Sequence, residues 1–70
     1  MSAAPQLSVI LPAYNEEVLL DGCVRQLHAA LAALGVRAEI ILVDDGSRDR
    51  TPQIADALAR ELPGVVAVHQ

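Results

Sequence analysis

Residues 40–49, IILVDDGSRD, set four aliphatic side chains directly before two adjacent carboxylates and a Gly-Ser turn. The run Ile40 to Val43 suits a strand covered on both faces, whereas an aspartate at the same depth is costly without a partner. Asp44 and Asp45 are therefore expected at the carboxyl end of the strand, the edge where ligands enter open α/β sheets. Consecutive side chains of a strand point to opposite faces, so the two acids cannot act as one clamp if both keep strand geometry. One is expected to face a ligand and the other to fix the loop through Ser47, Arg48 or nearby backbone N–H groups. Which acid does which is open at this level.

The flanking chain supplies the rest of an α/β unit. Met1 to Gln6 reads as a frayed lead-in and residues 7–70 as one unit. Leu7 to Leu11 (LSVIL) reads as a short strand ended by Pro12, which has no N–H for a ladder. Ala13, Tyr14 and Asn15 make the turn, Asn15 is the expected helix N-cap, and Glu16 and Glu17 place negative charge where the helix dipole favours it. Leu20, Val24, Leu27, Leu31 and Leu34 recur in steps of four and three, one stripe along a helix that Gly35 stops. Ala38 to Asp44 is the second strand and Gly46 to Arg50 the loop. Thr51 followed by Pro52 is an N-cap with proline at the first helical position. Ile54, Ala55, Leu58 and Leu62 form the inner face of that helix, Pro63 and Gly64 end it, and Val65 to Val68 begin a third strand.

The order β-α-β-α-β, with connections long enough for parallel crossovers, is half of a doubly wound parallel sheet. Right-handed crossovers running in one direction put both helices on one face. Both faces are nevertheless apolar, because Val9 opposes Ile10, and Ile40 and Leu42 oppose Ile41 and Val43. The unit is thus expected to be the amino-terminal fragment of a larger domain, with the remainder of that domain or a dimer partner covering the open face.

Seventy residues with 53% hydrophobic and 20% charged content make at most one small globular domain. Its single cysteine excludes an internal disulfide and a cysteine-rich zinc site. Cys23 is expected to be a small buried or half-buried apolar residue. His28 and His69 lack metal-ligand companions at suitable spacing and receive no role. The formal charge of −4 and a pI near 4.8 argue against a nucleic-acid surface, which needs clustered cations. No signal peptide and no run long enough to span a bilayer are visible, so membrane association is expected only through downstream segments.

Two ligand-edge segments result, Pro12 to Glu17 and Asp44 to Arg50. A dinucleotide fold would carry GxGxxG in the first; PAYNEE stands there instead, and its two carboxylates would repel a phosphate at the helix start. A P-loop is excluded by the same absence of glycines and lysine. A nucleotide bound here is expected to present its base and ribose, with Tyr14 against the base and a carboxylate accepting from imide N–H or ribose hydroxyls. Each residue also has a plainer reading. Tyr14 can cap the sheet edge, Glu17 can simply stabilise the helix start, and Arg48 and Arg50 can be solvated loop charges.

VILPAYNEE at positions 9 to 17, followed by EIILVDDGSRDRT at 39 to 51, resembles the opening of the family-2 inverting glycosyltransferases, a group that includes polyprenyl-phosphate sugar transferases. The resemblance covers residues 7 to 69. It implies a GT-A, Rossmann-like fold and a UDP- or GDP-sugar as donor. It further implies that Pro12, Tyr14, Glu16 and Asp45 contact the base or ribose, with Val43 lining the same pocket and Asp44 beside them. The family's Asp-x-Asp motif, which holds Mg²⁺ or Mn²⁺, and its catalytic base lie further along than these residues. No catalytic or metal-ligating residue is therefore assigned, and the 70 residues alone are expected to be inactive. By the same resemblance the parent protein is expected in the cytoplasm or at the cytoplasmic face of a membrane, transferring sugar to a lipid phosphate, saccharide or other acceptor. Two rivals remain. A receiver-like signalling module would also carry ILVDD but wants a phospho-acceptor aspartate after the next strand, where His69 and Gln70 stand. The other rival is a non-catalytic α/β interaction fragment.

Overall fold

The structure, a computed structural model, describes residues 4–70. The first three residues of the expected lead-in lie outside the described residues. Strand β1 spans Leu7–Ala13, helix α1 Leu20–Ala33, strand β2 Ala38–Asp44, helix α2 Thr51–Glu61 and strand β3 Val65–His69. The three strands form one parallel sheet in the order β1-β2-β3, the β-α-β-α-β half expected from the sequence. Residues just before β1 are already tied to the body: Gln6 donates its N–H to the Arg37 carbonyl at 2.7 Å, and its side-chain oxygen accepts from the Arg37 N–H at 3.1 Å.

β1 runs two residues past Leu11, through Pro12. Among the described residues it is paired only with β2, and an edge strand tolerates a residue that cannot donate to the ladder. β2, paired on both sides, is the central strand.

Its alternation decides what is core. Ile40 and Leu42 are buried, in register with Val9 and Leu11 on one side and with Val65 and Ala67 on the other. Val24 and Leu20 of α1 and Ala55 and Leu58 of α2 close over them. Both helices lie on this face, as right-handed crossovers in one direction require. The other face of β2 is open, as the sequence leads one to expect of a unit whose two helices share one side. Ile41 and Val43 are half-buried, and Ile10 and Val66, the register partners of Ile41, are 64% and 46% exposed.

Three sequence readings of α1 are corrected. Leu34, placed on the inner stripe of α1, is 75% exposed because the helix has already ended there: Gly35 takes φ +71°, its N–H bonds the Ala32 carbonyl, and the Val36 N–H bonds the Leu31 carbonyl. Cys23 is exposed, since α1 buries the adjacent Val24 and turns Cys23 away. Asn15 does not cap α1. Its backbone is left-handed, with φ +51°, and the Glu16 carbonyl accepts from the Leu19 and Leu20 N–H groups to start the turn that leads into the helix. Leu20, not Glu16 or Glu17, is the first residue of α1 proper.

The helices are held to each other by Arg25, which contacts Asp21 on its own helix and Glu61 on α2. These side chains are solvent-exposed, so the pairs add little to stability. The His28 Nε2 lies 3.0 Å from the Pro63 carbonyl oxygen and joins α1 to the turn before β3.

Candidate functional site

The carboxyl ends of β1 and β2 are in register, with Ala13 opposite Asp44. That juxtaposition brings the two strand-end loops side by side, and side chains of the second loop satisfy the backbone of the first. The Asn15 N–H donates to Ser47 Oγ at 3.0 Å, the Glu16 N–H to Thr51 Oγ1 at 2.7 Å and the Glu17 N–H to Asp49 Oδ2 at 3.2 Å. In return Asn15 Oδ1 accepts from the Arg48 N–H at 2.9 Å. The left-handed turn at Asn15 aims that side chain across the gap rather than down its own helix. An open row of N–H groups before a helix is an anion site. Here the row is already occupied by protein oxygens, which adds a geometric reason to the electrostatic one for phosphate to stay away.

Thr51 likewise serves its neighbour instead of capping α2. Its hydroxyl is fully buried and accepts from Glu16, while its own N–H is taken by Asp49 Oδ1 at 2.9 Å. Asp49 thus bonds both loops. Partial burial pushes its carboxyl pKa up, but the bonds from Thr51 and the Glu17 N–H outweigh that and hold it below the usual value.

The two adjacent aspartates part ways, as alternation requires. Asp44 turns to the helix-covered side and is 4% exposed. Its Oδ1 accepts from the Ser47 N–H at 3.2 Å, and its Oδ2 lies 3.2 Å from His69 Nδ1 at the end of β3. Ser47 holds its pKa below the usual carboxylate value, burial opposes, and His69 adds to the lowering. Asp45 turns to the open side. There a cleft of about 580 Å³ is lined by Pro12, Ala13, Tyr14, Val43, Asp45 and Gln70. Pro12 and Val43 are register partners on the open face of the sheet, and Tyr14 is 56% exposed above them.

Of the six residues singled out from the sequence, Pro12, Tyr14, Val43 and Asp45 share this cleft. Asp44 sits behind it, within the loop. Glu16 lines a separate, smaller groove of about 180 Å³ with Leu11, Pro12, Leu19, Leu20 and Cys23.

Sequence reasoning did not single out Asn15, Asp49 and Thr51 as the cross-loop connectors, nor His69 as a partner of Asp44. The DGSRDRT stretch carries the first signal, since side-chain oxygens that dense in a short loop commonly bond backbone N–H groups. His69 is visible only once β3 is in register, with Asp44 opposite it.

The carboxylates present do not make a metal site. Asp44 and Asp49 are engaged by backbone N–H groups, and no group of three His, Cys, Asp or Glu side chains that could hold an ion converges among the described residues. Nor, among the described residues, is any helix long and apolar enough to cross a membrane.

Comparison with known proteins adds a family. The model of glycosyl transferase family 2 matches residues 8–70. The undecaprenyl-phosphate 4-deoxy-4-formamido-L-arabinose transferase of Pseudomonas paraeruginosa is 49% identical over 63 residues, which are 89% of this chain and 19% of that protein. Proteins of the same name from Pseudomonas fluorescens strain SBW25 and Shewanella sediminis are 46% and 40% identical, over 89% and 79% of this chain and 18% and 17% of theirs. The chain therefore spans about a fifth of the length of the curated relatives it matches.

Proposed function

This chain belongs to glycosyl transferase family 2, and on that premise we propose that it forms the base- and ribose-binding wall of a nucleotide-sugar site. The observation that carries the reading is the cleft at the strand ends, where Pro12, Tyr14, Val43 and Asp45 stand on one side of the sheet. Pro12 and Val43 offer an apolar floor, Tyr14 an aromatic surface for the base, and Asp45 an acceptor for an imide N–H or a ribose hydroxyl. Glu16 contributes negative charge at the margin, and Asp44 holds the loop from behind. The diphosphate of the donor points away from residues 15–17, whose N–H groups are already bonded.

The parent reaction is transfer of a sugar from a UDP- or GDP-sugar by direct displacement, with inversion at the anomeric carbon. The acceptor is a lipid phosphate of the kind named in the relatives, which puts the reaction at a membrane surface, and we assign it to the cytoplasmic face. Mg²⁺ or Mn²⁺ would neutralise the diphosphate as it leaves, and residues outside these 70 would hold it. The general base likewise comes from elsewhere, so the 70 residues alone bind donor and do not turn it over.

Titration of the chain with UDP and GDP, followed by backbone NMR, tests this. Shifts are expected at Tyr14, Val43 and Asp45, and Tyr14→Ala is expected to weaken binding by about 1–3 kcal/mol, the usual worth of a base–aromatic stack. If pyrophosphate alone reproduces the shifts, or the affected amides lie away from the cleft, the base-binding role is wrong.

A further inference from the structure

His69 lies between two carboxylates from different elements. Its Nδ1 is 3.2 Å from Asp44 Oδ2 at the end of β2, and its Nε2 is 2.7 Å from Asp56 Oδ1 on α2. A carboxylate at these distances is an acceptor, and a neutral imidazole has one N–H to donate. Both contacts are therefore satisfied together only by the imidazolium. With a single proton on the ring, the shorter contact to Asp56 keeps it, and a ring lone pair then faces the buried oxygen of Asp44.

Asp44 is the hinge between this ring and the proposed site. Its other oxygen holds the Ser47 N–H. Ser47 Oγ in turn accepts from the Asn15 N–H and lies 3.4 Å from the Ala13 carbonyl oxygen, to which it donates. Ala13 lines the cleft, and Asn15 directly follows Tyr14. A continuous set of bonds thus runs from β3 through β2 to the loop after β1.

We infer that His69 is a positioning residue: with both ring nitrogens protonated it fixes Asp44, and through Ser47 it sets the loop that carries Tyr14 at the cleft. Asp44 from β2 and Asp56 from α2 are the charged groups that face the ring. Among the described residues no arginine pairs with either carboxylate, so the ring is their only cationic partner there. In agreement with the geometry, Asp56 first and Asp44 second hold the proton on His69 above its ordinary pKa of 6.5. The positioning is complete below that ordinary value and is lost as pH rises through the higher value in the folded chain. The consequence for ligand binding rests on the nucleotide reading above.

The test follows the His69 ring and the Ser47 and Asn15 amides by NMR from pH 5 to 8. Uridine and guanosine serve as probes because neither carries a phosphate that titrates. The two amides are expected to shift with the midpoint of the ring, and nucleoside affinity to fall about fivefold or more across that midpoint. His69→Ala should bind at the weak level at every pH. Asp56→Asn should bind at the tight level at every pH, because the side-chain amide it introduces can donate to Nε2 of a neutral ring whose Nδ1–H still serves Asp44. A purely structural histidine would give both variants the same direction of change. Should His69→Ala not fold, the wild-type titration and Asp56→Asn decide.

Amides that ignore the ring titration overturn the inference, as do nucleoside affinities that stay constant through it. Amides that follow the ring while neither nucleoside binds at any pH overturn the nucleotide reading and leave the loop-setting role of His69 standing.

Discussion

Thr51 joins the two loops of the site from within the core. It has no exposed surface, and its hydroxyl oxygen meets the Glu16 N–H at 2.7 Å, the shortest of the three bonds that side chains of the second loop accept from residues 15–17. Valine has nearly the same shape but cannot accept, so Thr51→Val strands that N–H without opening a cavity. The expected loss is about 1 kcal/mol of stability, the usual net worth of a hydrogen bond at a partly buried site, with the Glu16 amide exchanging faster with solvent. An unchanged urea midpoint would mean that water satisfies Glu16 without the threonine. Asp49 shows the same economy of parts on the more exposed side, with one oxygen for each loop.

Between elements, two glycines with left-handed backbones do different jobs. Gly35, at φ +71°, ends α1 in open space, and an added Cβ would meet nothing within 4 Å. Gly64, at φ +83°, sits where α2 hands over to β3, and a Cβ there would stand 2.9 Å from the Ala38 backbone carbonyl oxygen. The Gly64 carbonyl also accepts from the Ile40 N–H at 2.8 Å, so the turn is stitched to the start of the central strand. Gly35→Ala is expected to cost about 1–2 kcal/mol, the conformational penalty alone. Gly64→Ala should cost more than Gly35→Ala and should deprotect the Ile40 amide, because backbone must move to relieve the clash. Equal midpoints for the two variants in chemical denaturation would show that the turn between α2 and β3 can shift freely.

For the whole molecule the decisive asymmetry is between the two faces of one sheet. Leu42 is fully buried under the helices, and Ile10 is 64% exposed on the other side. Leu42→Ala removes core contacts and should cost about 2–5 kcal/mol, a large share of the roughly 5–15 kcal/mol that holds any small domain. Ile10→Lys should change stability by about 0.5 kcal/mol or less, as an exposed substitution does. Denaturation of both variants at two protein concentrations separates the cases. A loss for Ile10→Lys as large as that for Leu42→Ala, present only at high concentration, would mean that a second copy covers the open face in solution.

The sequence by itself determined the element order, the parallel topology and the place of the two aspartates at the end of the central strand, because each is encoded locally. Period-two and period-3.6 spacing of apolar residues specifies strands and helices, and Pro52, Gly35 and Gly64 mark element ends through backbone chemistry that needs no distant partner. It also gave a reason for Asp44 and Asp45 to separate, provided strand geometry carries on to the second of them, since alternation acts on neighbours. Which one faces the cleft depended on where the helices lie, and that is a property of the crossovers. Only the tertiary structure decided that Asn15 bonds Arg48 rather than capping α1, that Thr51 accepts from Glu16, and that His69 stands between Asp44 and Asp56. Each of these contacts joins residues from 13 to 35 positions apart. A side chain that can cap its own helix or bond a neighbouring loop takes the partner that folding brings near. In this chain the parallel register of β1, β2 and β3 sets that choice at the strand ends.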